Sequence, residues 1–240
     1  MLLSMTQLPH YTIFPLGDAA ATIDFGNIID ESVNSYVLAL FHSLNNNHIP
    51  GIIELVPAYS SLTVYYDILT VRKRYPLYKS AFDSVKEIIT EKLAEPVKAG
   101  LADGEIVKIP VCYDAEFASD ANELMKAKKI NWDDLIRIHT SKTYSVYMLG
   151  FLPGFTYMGK VDEQIAIPRK INPRPRVEAG SVGIAGYQTG VYPLPSPGGW
   201  QIIGRTPSRL FKADKDDFTL LKPGDRVQFY SISKDEFNSY

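Results

Sequence analysis

Residues Gly150 to Thr206 read GFLPGFTYMGKVDEQIAIPRKINPRPRVEAGSVGIAGYQTGVYPLPSPGGWQIIGRT. Ten of the sixteen glycines of the chain fall here, with prolines at 153, 168, 173, 175, 193, 195 and 197. The backbone is therefore set by residues that permit positive φ or fix φ near one value, which is turn chemistry. Charge within the stretch is sorted. Arg169, Lys170, Arg174 and Arg176 form a basic run, whereas no Asp, Glu, Lys or Arg occurs from Ala179 to Gly204. Pro193, Pro195, Pro197 and the repeated glycines rule out a membrane-spanning helix in that uncharged run. It reads as short strands and tight turns that present aromatic and amide side chains beside a basic rim.

Outward from this stretch, the flanking sequence continues the β pattern. Tyr144–Leu149, Ile165–Ile167, Ser181–Ala185, Gly190–Tyr192, Gln201–Thr206, Arg209–Phe211 and Arg226–Ser231 are expected strands, and so many short strands with turn signals indicate a barrel or sandwich. Before them, Ile106–Tyr113 is a strand in which Pro110 favours an edge or a bulge. Two short helices follow, the first over about 119–128. The second starts at Asn131 with Asp134 three residues on, and it sets Trp132, Leu135, Ile136 and His139 on one side. The N-terminal part is different in kind. Strands at Tyr11–Phe14, Ala20–Phe25, Ile52–Val56 and Ser61–Tyr66 are interleaved with a helix capped by Asp30 and a second helix over Ala81–Leu93. That order predicts an α+β sandwich over 1–95, a Pro/Gly/Ala-rich linker over 96–104 and a mainly-β domain over 105–240.

Length and apolar content suffice for a packed core: 240 residues, 45% hydrophobic. A net charge of −2 argues against nucleic-acid binding. No Lys or Arg precedes Arg72, so six carboxylates give the first 71 residues −6 and leave +4 for the rest, an asymmetry that fits two domains. The start, MLLSMTQLPHY, lacks the features of a secretory signal, so a cytoplasmic location is expected. The single cysteine, Cys112, excludes an internal disulfide and a cysteine-rich zinc site, and no metal site is expected.

The basic run suits phosphate or carboxylate, which guanidinium groups chelate in bidentate fashion, and suits a solvated loop as well. His139 is a structural histidine or a general base. Gln188, Tyr192 and Trp200 suit either a small polar ligand or core packing. GFLPGFTYMG lacks the ending of a phosphate-cradling Walker loop. Ser181 and Ser196 lie in no nucleophile elbow and read as turn hydroxyls.

Five segments carry a family resemblance: LGDAA (16–20), IPVCYDAEF (109–117), HTSKTYSVYMLGFLPGFTYMG (139–159), PRPRVEAGSVGIAGYQTGVYPLPSPGGWQIIGRTP (173–207) and KPGDRVQF (222–229). In this order they resemble the KipI family, that of the 5-oxoprolinase B subunit (PxpB) and allophanate hydrolase subunit 1. The resemblance implies a C-terminal cyclophilin-like barrel. It also implies a non-autonomous enzyme component that works with KipA-like and LamB/YcsF-like partner chains to open 5-oxoproline to glutamate. ATP, with Mg, would be bound by the complex. A lactam carbonyl is a poor electrophile until its oxygen is phosphorylated, and a basic rim would stabilise the transferred charge. Two alternatives accompany it: an inhibitor of a sensor histidine kinase, and a component of an allophanate- or urea-type amide hydrolase.

The expected site lies at the mouth of the barrel. His139 is its proton-transfer or orienting group. Arg176 acts with Arg169, Arg174 and Arg205 on phosphate or carboxylate. Gln188 and Tyr192 contact the amide, and Phe155, Tyr157 and Trp200 shape the pocket.

Overall fold

The structure is a computed structural model that describes residues 9–95, 105–214 and 218–240. The chain divides into two compact units, with the division after residue 103. The expected linker, 96–104, lies outside the described residues.

The first unit contains β1 (Thr12–Pro15), β2 (Ala20–Asp24), α1 (Glu31–Asn46), β3 (Ile52–Pro57), β4 (Ser61–Tyr66), α2 (Ile68–Arg74) and α3 (Ala81–Ala94). Its strands form one antiparallel sheet in the order β1-β2-β4-β3. Period-two alternation sends Ala21 and Ile23 of β2 and Leu62, Val64 and Tyr66 of β4 to a single face. There they meet Val37, Leu40 and Leu44 of α1 and Val85, Ile89 and Leu93 of α3. Asp30 starts α1 by accepting from the backbone N–H groups of Ser32 and Val33. Ser80 and Asp83 close a reciprocal capping box on α3. The seven-residue α2 was not expected; its start is marked by Asp67, whose carboxylate accepts from Thr70 N at 2.7 Å.

The second unit contains β5 (Val107–Cys112), α4 (Ala121–Lys128), α5 (Trp132–Thr140), β6 (Thr143–Leu149), β7 (Thr156–Gly159), β8 (Arg174–Val177), β9 (Ser181–Ala185), β10 (Gln188–Val191), β11 (Ser196–Gly198), β12 (Gln201–Arg205), β13 (Arg226–Ile232) and α6 (Lys234–Asn238). Seven of the strands close a barrel in the order β10-β7-β6-β13-β5-β12-β9, and β8 and β11 pair as a separate ribbon. The expected strands at 165–167 and 209–211 reduce to single bridges, Ile167 to Gly186 and Phe211 to Thr219. The Arg174–Val177 part of the basic run, read from sequence as loop, is strand β8. Pro110 lies in β5, which runs parallel to β13 along its length but meets β12 only where Cys112 faces Arg205. The proline thus occupies a lightly paired seam of a closed barrel.

The barrel is filled. Ile109, Val146, Met158, Ile184, Val191, Ile203 and Phe229 pack inward with Leu124 and Leu135 of the helices. The expectation of a site at the barrel mouth that uses His139 is corrected here. His139 is fully buried in this core. Its Nδ1 lies 2.7 Å from Tyr113 Oη and its Nε2 2.9 Å from Thr189 Oγ1, and the ring stacks on Phe229 with centroids 4.7 Å apart. The Thr189 hydroxyl also bonds Gly183 O at 3.1 Å. Burial pushes the imidazole pKa down to about 3. His139 is therefore a neutral polar strut between α5 and the barrel wall, out of reach of solvent-borne substrate.

Burial of His139 gives the barrel a pH-dependent stability. The unfolded state takes up a proton below the ordinary pKa of 6.5, whereas the folded state stays neutral down to about 3, so stability falls as pH drops through this window. Both tryptophans, 132 and 200, belong to the second unit, and the other three histidines lie within the first 48 residues. Urea unfolding followed by tryptophan fluorescence should show a loss of about 2 kcal/mol between pH 6.5 and 5. The His139→Gln variant should lose most of that dependence. Identical pH profiles for the two proteins would mean that His139 is accessible and titrates normally.

Candidate ligand pocket on the outer face of the barrel

Strands β9 and β10 form a hairpin across Gly186-Tyr187, with Ala185 opposite Gln188 and Gly183 opposite Gly190. Since Val182, Ile184, Thr189 and Val191 face the interior, the alternate positions Gly183, Ala185, Gln188 and Gly190 face outward. Trp200 lies against this bare patch. A Cβ at Gly183 would come 3.0 Å from Trp200 Cβ, and one at Gly190 would come 3.0 Å from its Cζ3. Both contacts are tighter than most real side chains show, and a Cβ at Gly190 would also meet Thr156 O at 2.5 Å, so small residues at these positions let the indole lie down on the sheet.

On this floor Phe155, Val177, Ala185, Tyr192, Trp200 and Ile202 build a second, small apolar cluster. Its aromatics meet edge to face. Phe155 and Trp200 are 5.3 Å apart at 87°, Phe155 and Tyr192 are 5.0 Å apart at 82°, and Tyr157 and Trp200 are 5.7 Å apart at 67°. Phe151, Phe155, Tyr157, Arg169, Tyr192 and Trp200 line a cavity of about 230 Å³, with the Pro173 and Gly198 region at its edge. The Arg169 guanidinium sits 5.9 Å from the centre of the Trp200 ring, a cation–π arrangement. Burial raises the phenol pKa values of Tyr157 and Tyr192, with the Arg169 charge opposing it, so both hydroxyls are protonated donors at neutral pH.

The four cations of the basic run have separate fates. Asp120, 1% exposed at its side chain, accepts from Lys170 Nζ at 2.7 Å and from Arg174 Nη2 through Oδ1. Its Oδ2 accepts from Ile202 N at 2.7 Å, and its own N–H donates to Ile202 O. Burial works to raise the Asp120 pKa, but the hydrogen bonds from Arg174, Lys170 and Ile202 outweigh it and hold the carboxyl below its ordinary value. Arg176 pairs with Glu178 at 2.6 Å on the surface. Arg169 alone of the four has no hydrogen bond or ion pair among the described residues, and it alone lines the pocket.

Of the residues expected from sequence, Phe155, Tyr157, Arg169, Tyr192 and Trp200 come together. The others do not. Arg176 is committed to Glu178 and is corrected to a surface ion pair, and Arg174 is corrected to a partner of buried Asp120. Arg205 bonds Ala179 O at 2.7 Å and lines a different cavity. Gln188 is buried in β10 and is not part of the pocket lining. Sequence reasoning missed Asp120, Phe151 and the floor glycines. Asp120 precedes α4 and reads as a helix cap, yet its side chain makes no capping bond.

Residues 11–221 match the family described as carboxyltransferase domain, subdomain C and D. The chain is 47% identical over 232 residues to the B subunit of 5-oxoprolinase from Bacillus subtilis, covering 96% of this chain and 97% of that one. It is 37% identical to the protein of the same name from Escherichia coli O157:H7, over 75% and 78% of the two chains. Among solved structures, that of TTHA0988 superposes with a TM-score of 0.77 at 33% identity, covering 89% of this chain, which spans 40% of that longer one. The Kluyveromyces lactis urea amidolyase, at 18% identity and a TM-score of 0.72, shares the fold over 97% of this chain, which spans only 15% of the enzyme.

The Asp120 clamp is directly testable. Asp120→Asn leaves two cations facing a neutral amide in a buried setting, at an expected cost of about 3 kcal/mol to barrel stability. Denaturant unfolding read through tryptophan emission measures it. A loss below about 0.5 kcal/mol would be that of a surface pair and would overturn the clamp.

Proposed function

Because the chain belongs to the carboxyltransferase-domain subdomain C and D family, we propose that it is the B subunit of a 5-oxoprolinase, with the aromatic pocket as its substrate-contacting surface. Identity to proteins of that name in three bacteria, nearly full-length in one of them, supports this reading. The observation that carries the pocket is Arg169, a cation free of internal partners among the described residues and held against Trp200 at the rim.

5-Oxoproline is a small flat lactam that bears one carboxylate. The pocket, at about 230 Å³, is below the usual range for drug-sized ligands and suits a molecule of that size. Arg169 would take the carboxylate in bidentate fashion. The edge-to-face wall of Phe155, Trp200 and Tyr192 would hold the ring, and the Tyr157 and Tyr192 hydroxyls would address the amide. Among the described residues of the pocket lining there is no Asp, Glu, His or Lys, and the raised phenol pKa values of Tyr157 and Tyr192 suit them to hydrogen-bond the amide rather than to act as bases at neutral pH. This fits a protein that binds and orients while partner chains complete the reaction.

We read the seven-stranded barrel as the cyclophilin-like domain of the family and the partners as a KipA-like chain and a LamB/YcsF-like chain. ATP with Mg would activate the lactam oxygen in the assembled complex, and the location would be the cytoplasm. Among the described residues no helix is long and apolar enough to cross a membrane.

Co-expression with the KipA-like and LamB/YcsF-like partners should give a complex that forms glutamate from 5-oxoproline only when ATP is added. In that complex Arg169→Ala should raise KM for 5-oxoproline at least tenfold, with a smaller change in kcat. His139→Gln should leave the pH dependence of kcat unmoved. Wild-type KM in an assembled Arg169→Ala complex would remove the pocket from the reaction.

A further inference from the structure

A second cavity, of about 490 Å³, opens elsewhere on the barrel unit, where the turn after β12 meets α6. Two guanidinium groups line it, those of Arg205 and Arg209, and no Asp or Glu lies in its wall among the described residues. Arg205 spends its Nε on Ala179 O, and no other hydrogen bond or ion pair of its guanidinium occurs among the described residues. Arg209 has neither a hydrogen bond nor an ion pair among them. The nearby carboxylate, Glu178, is already engaged by Arg176.

The lining also includes three aromatic residues, Phe211, Phe237 and Tyr240. Phe237 packs on Phe117, 4.5 Å between centroids, while Tyr240 is exposed and its hydroxyl lies 3.2 Å from that of Tyr230. The floor is stiff. Thr206 is buried, its N–H donates to Gly180 O, and its hydroxyl accepts from Ser208 N at 3.1 Å.

Two guanidiniums in a concave site, Arg205 with only its Nε engaged and Arg209 with no hydrogen bond or ion pair among the described residues, and no carboxylate in the lining itself, are a receptor for a multiply charged anion, and phosphate oxygens match their fork geometry. Aromatic faces on the same cavity favour a ligand with a flat ring attached to that anion. From this pairing we propose that the Arg205–Arg209 cavity binds a nucleoside phosphate, with the phosphate on the two arginines and the base against Phe211 and Phe237. The site is separate from the aromatic pocket around Arg169, and its existence does not depend on the substrate assigned to that pocket.

Calorimetric titration of the full chain with ATP, AMP, adenosine and inorganic phosphate tests it. Saturable binding of ATP and AMP is expected, with adenosine and inorganic phosphate each at least tenfold weaker, since each offers one half of the ligand. Arg209→Gln should weaken ATP at least tenfold at unchanged thermal midpoint, Arg209→Lys should restore part of the affinity, and Arg169→Ala should leave nucleotide affinity as it was. The proposal is overturned if the folded chain binds no nucleotide, or if inorganic phosphate binds as tightly as AMP. It is equally overturned if Arg169→Ala abolishes nucleotide binding while Arg209→Gln does not.

Discussion

The buried carboxylate of Asp120 is the constraint on which the ligand-facing half of the barrel unit depends. A carboxylate almost out of contact with water is tolerable only when its oxygens are fully used, and here Lys170, Arg174 and the Ile202 amide use them. One side chain thereby ties the start of α4, strand β12, the connection that carries Arg169 and the first residue of ribbon strand β8. Lys170 N also donates to Gly199 O, which brings the same connection against the turn that carries Trp200. With Lys170 and Arg174 held by Asp120 and Arg176 by Glu178, the basic run leaves the pocket a single positive group, Arg169. The charge that looks diffuse in sequence is thus sharply assigned in space.

The uncharged run from Ala179 to Gly204 has its explanation in the same geometry. Its strand residues are buried on both sides: one set of alternate side chains fills the barrel, and the other supports the Trp200 and Tyr192 cluster, while Tyr187, Leu194, Pro195 and Pro197 between the buried stretches are exposed. A charge on either face would be buried without a partner, at a cost of several kcal/mol. The basic residues begin where the chain leaves that doubly buried layer.

What sequence made legible follows the range of the forces involved. Local signals located many elements: the Asp30 cap, the Asn131 cap on α5 and the alternation in β2 all operate within a few residues, as does the Ser80–Asp83 box that the structure adds. Phe155, Tyr157, Tyr192 and Trp200 of the pocket were also recoverable, because an aromatic among turn glycines has few other ways to be buried, whereas Phe151 was missed. The pairing of Asp120 with Lys170 and Arg174, 50 and 54 residues away, left no local trace. The case of His139 was similar. Helical spacing placed it on the inner side of α5, but whether that side met solvent or Thr189 and Tyr113 was decided by strands far along the chain. The basic run misled for the converse reason: prolines at 173 and 175 read as loop, yet a two-stranded ribbon paired on one side accepts them.

The floor of the aromatic pocket is also the wall of the barrel. A side chain at Gly183 would crowd Trp200, one at Gly190 would run into Thr156 O as well as the indole, and their inward neighbours are fixed by the core. Selectivity in this scaffold is therefore most readily retuned from the rest of the lining, through Phe151, Arg169 and Pro197 of the ribbon strand β11, which come from three separate segments. A protein engineer wishing to change the accepted ring or anion would vary those residues and leave the hairpin untouched, because the fold and the ligand compete for the same two glycines.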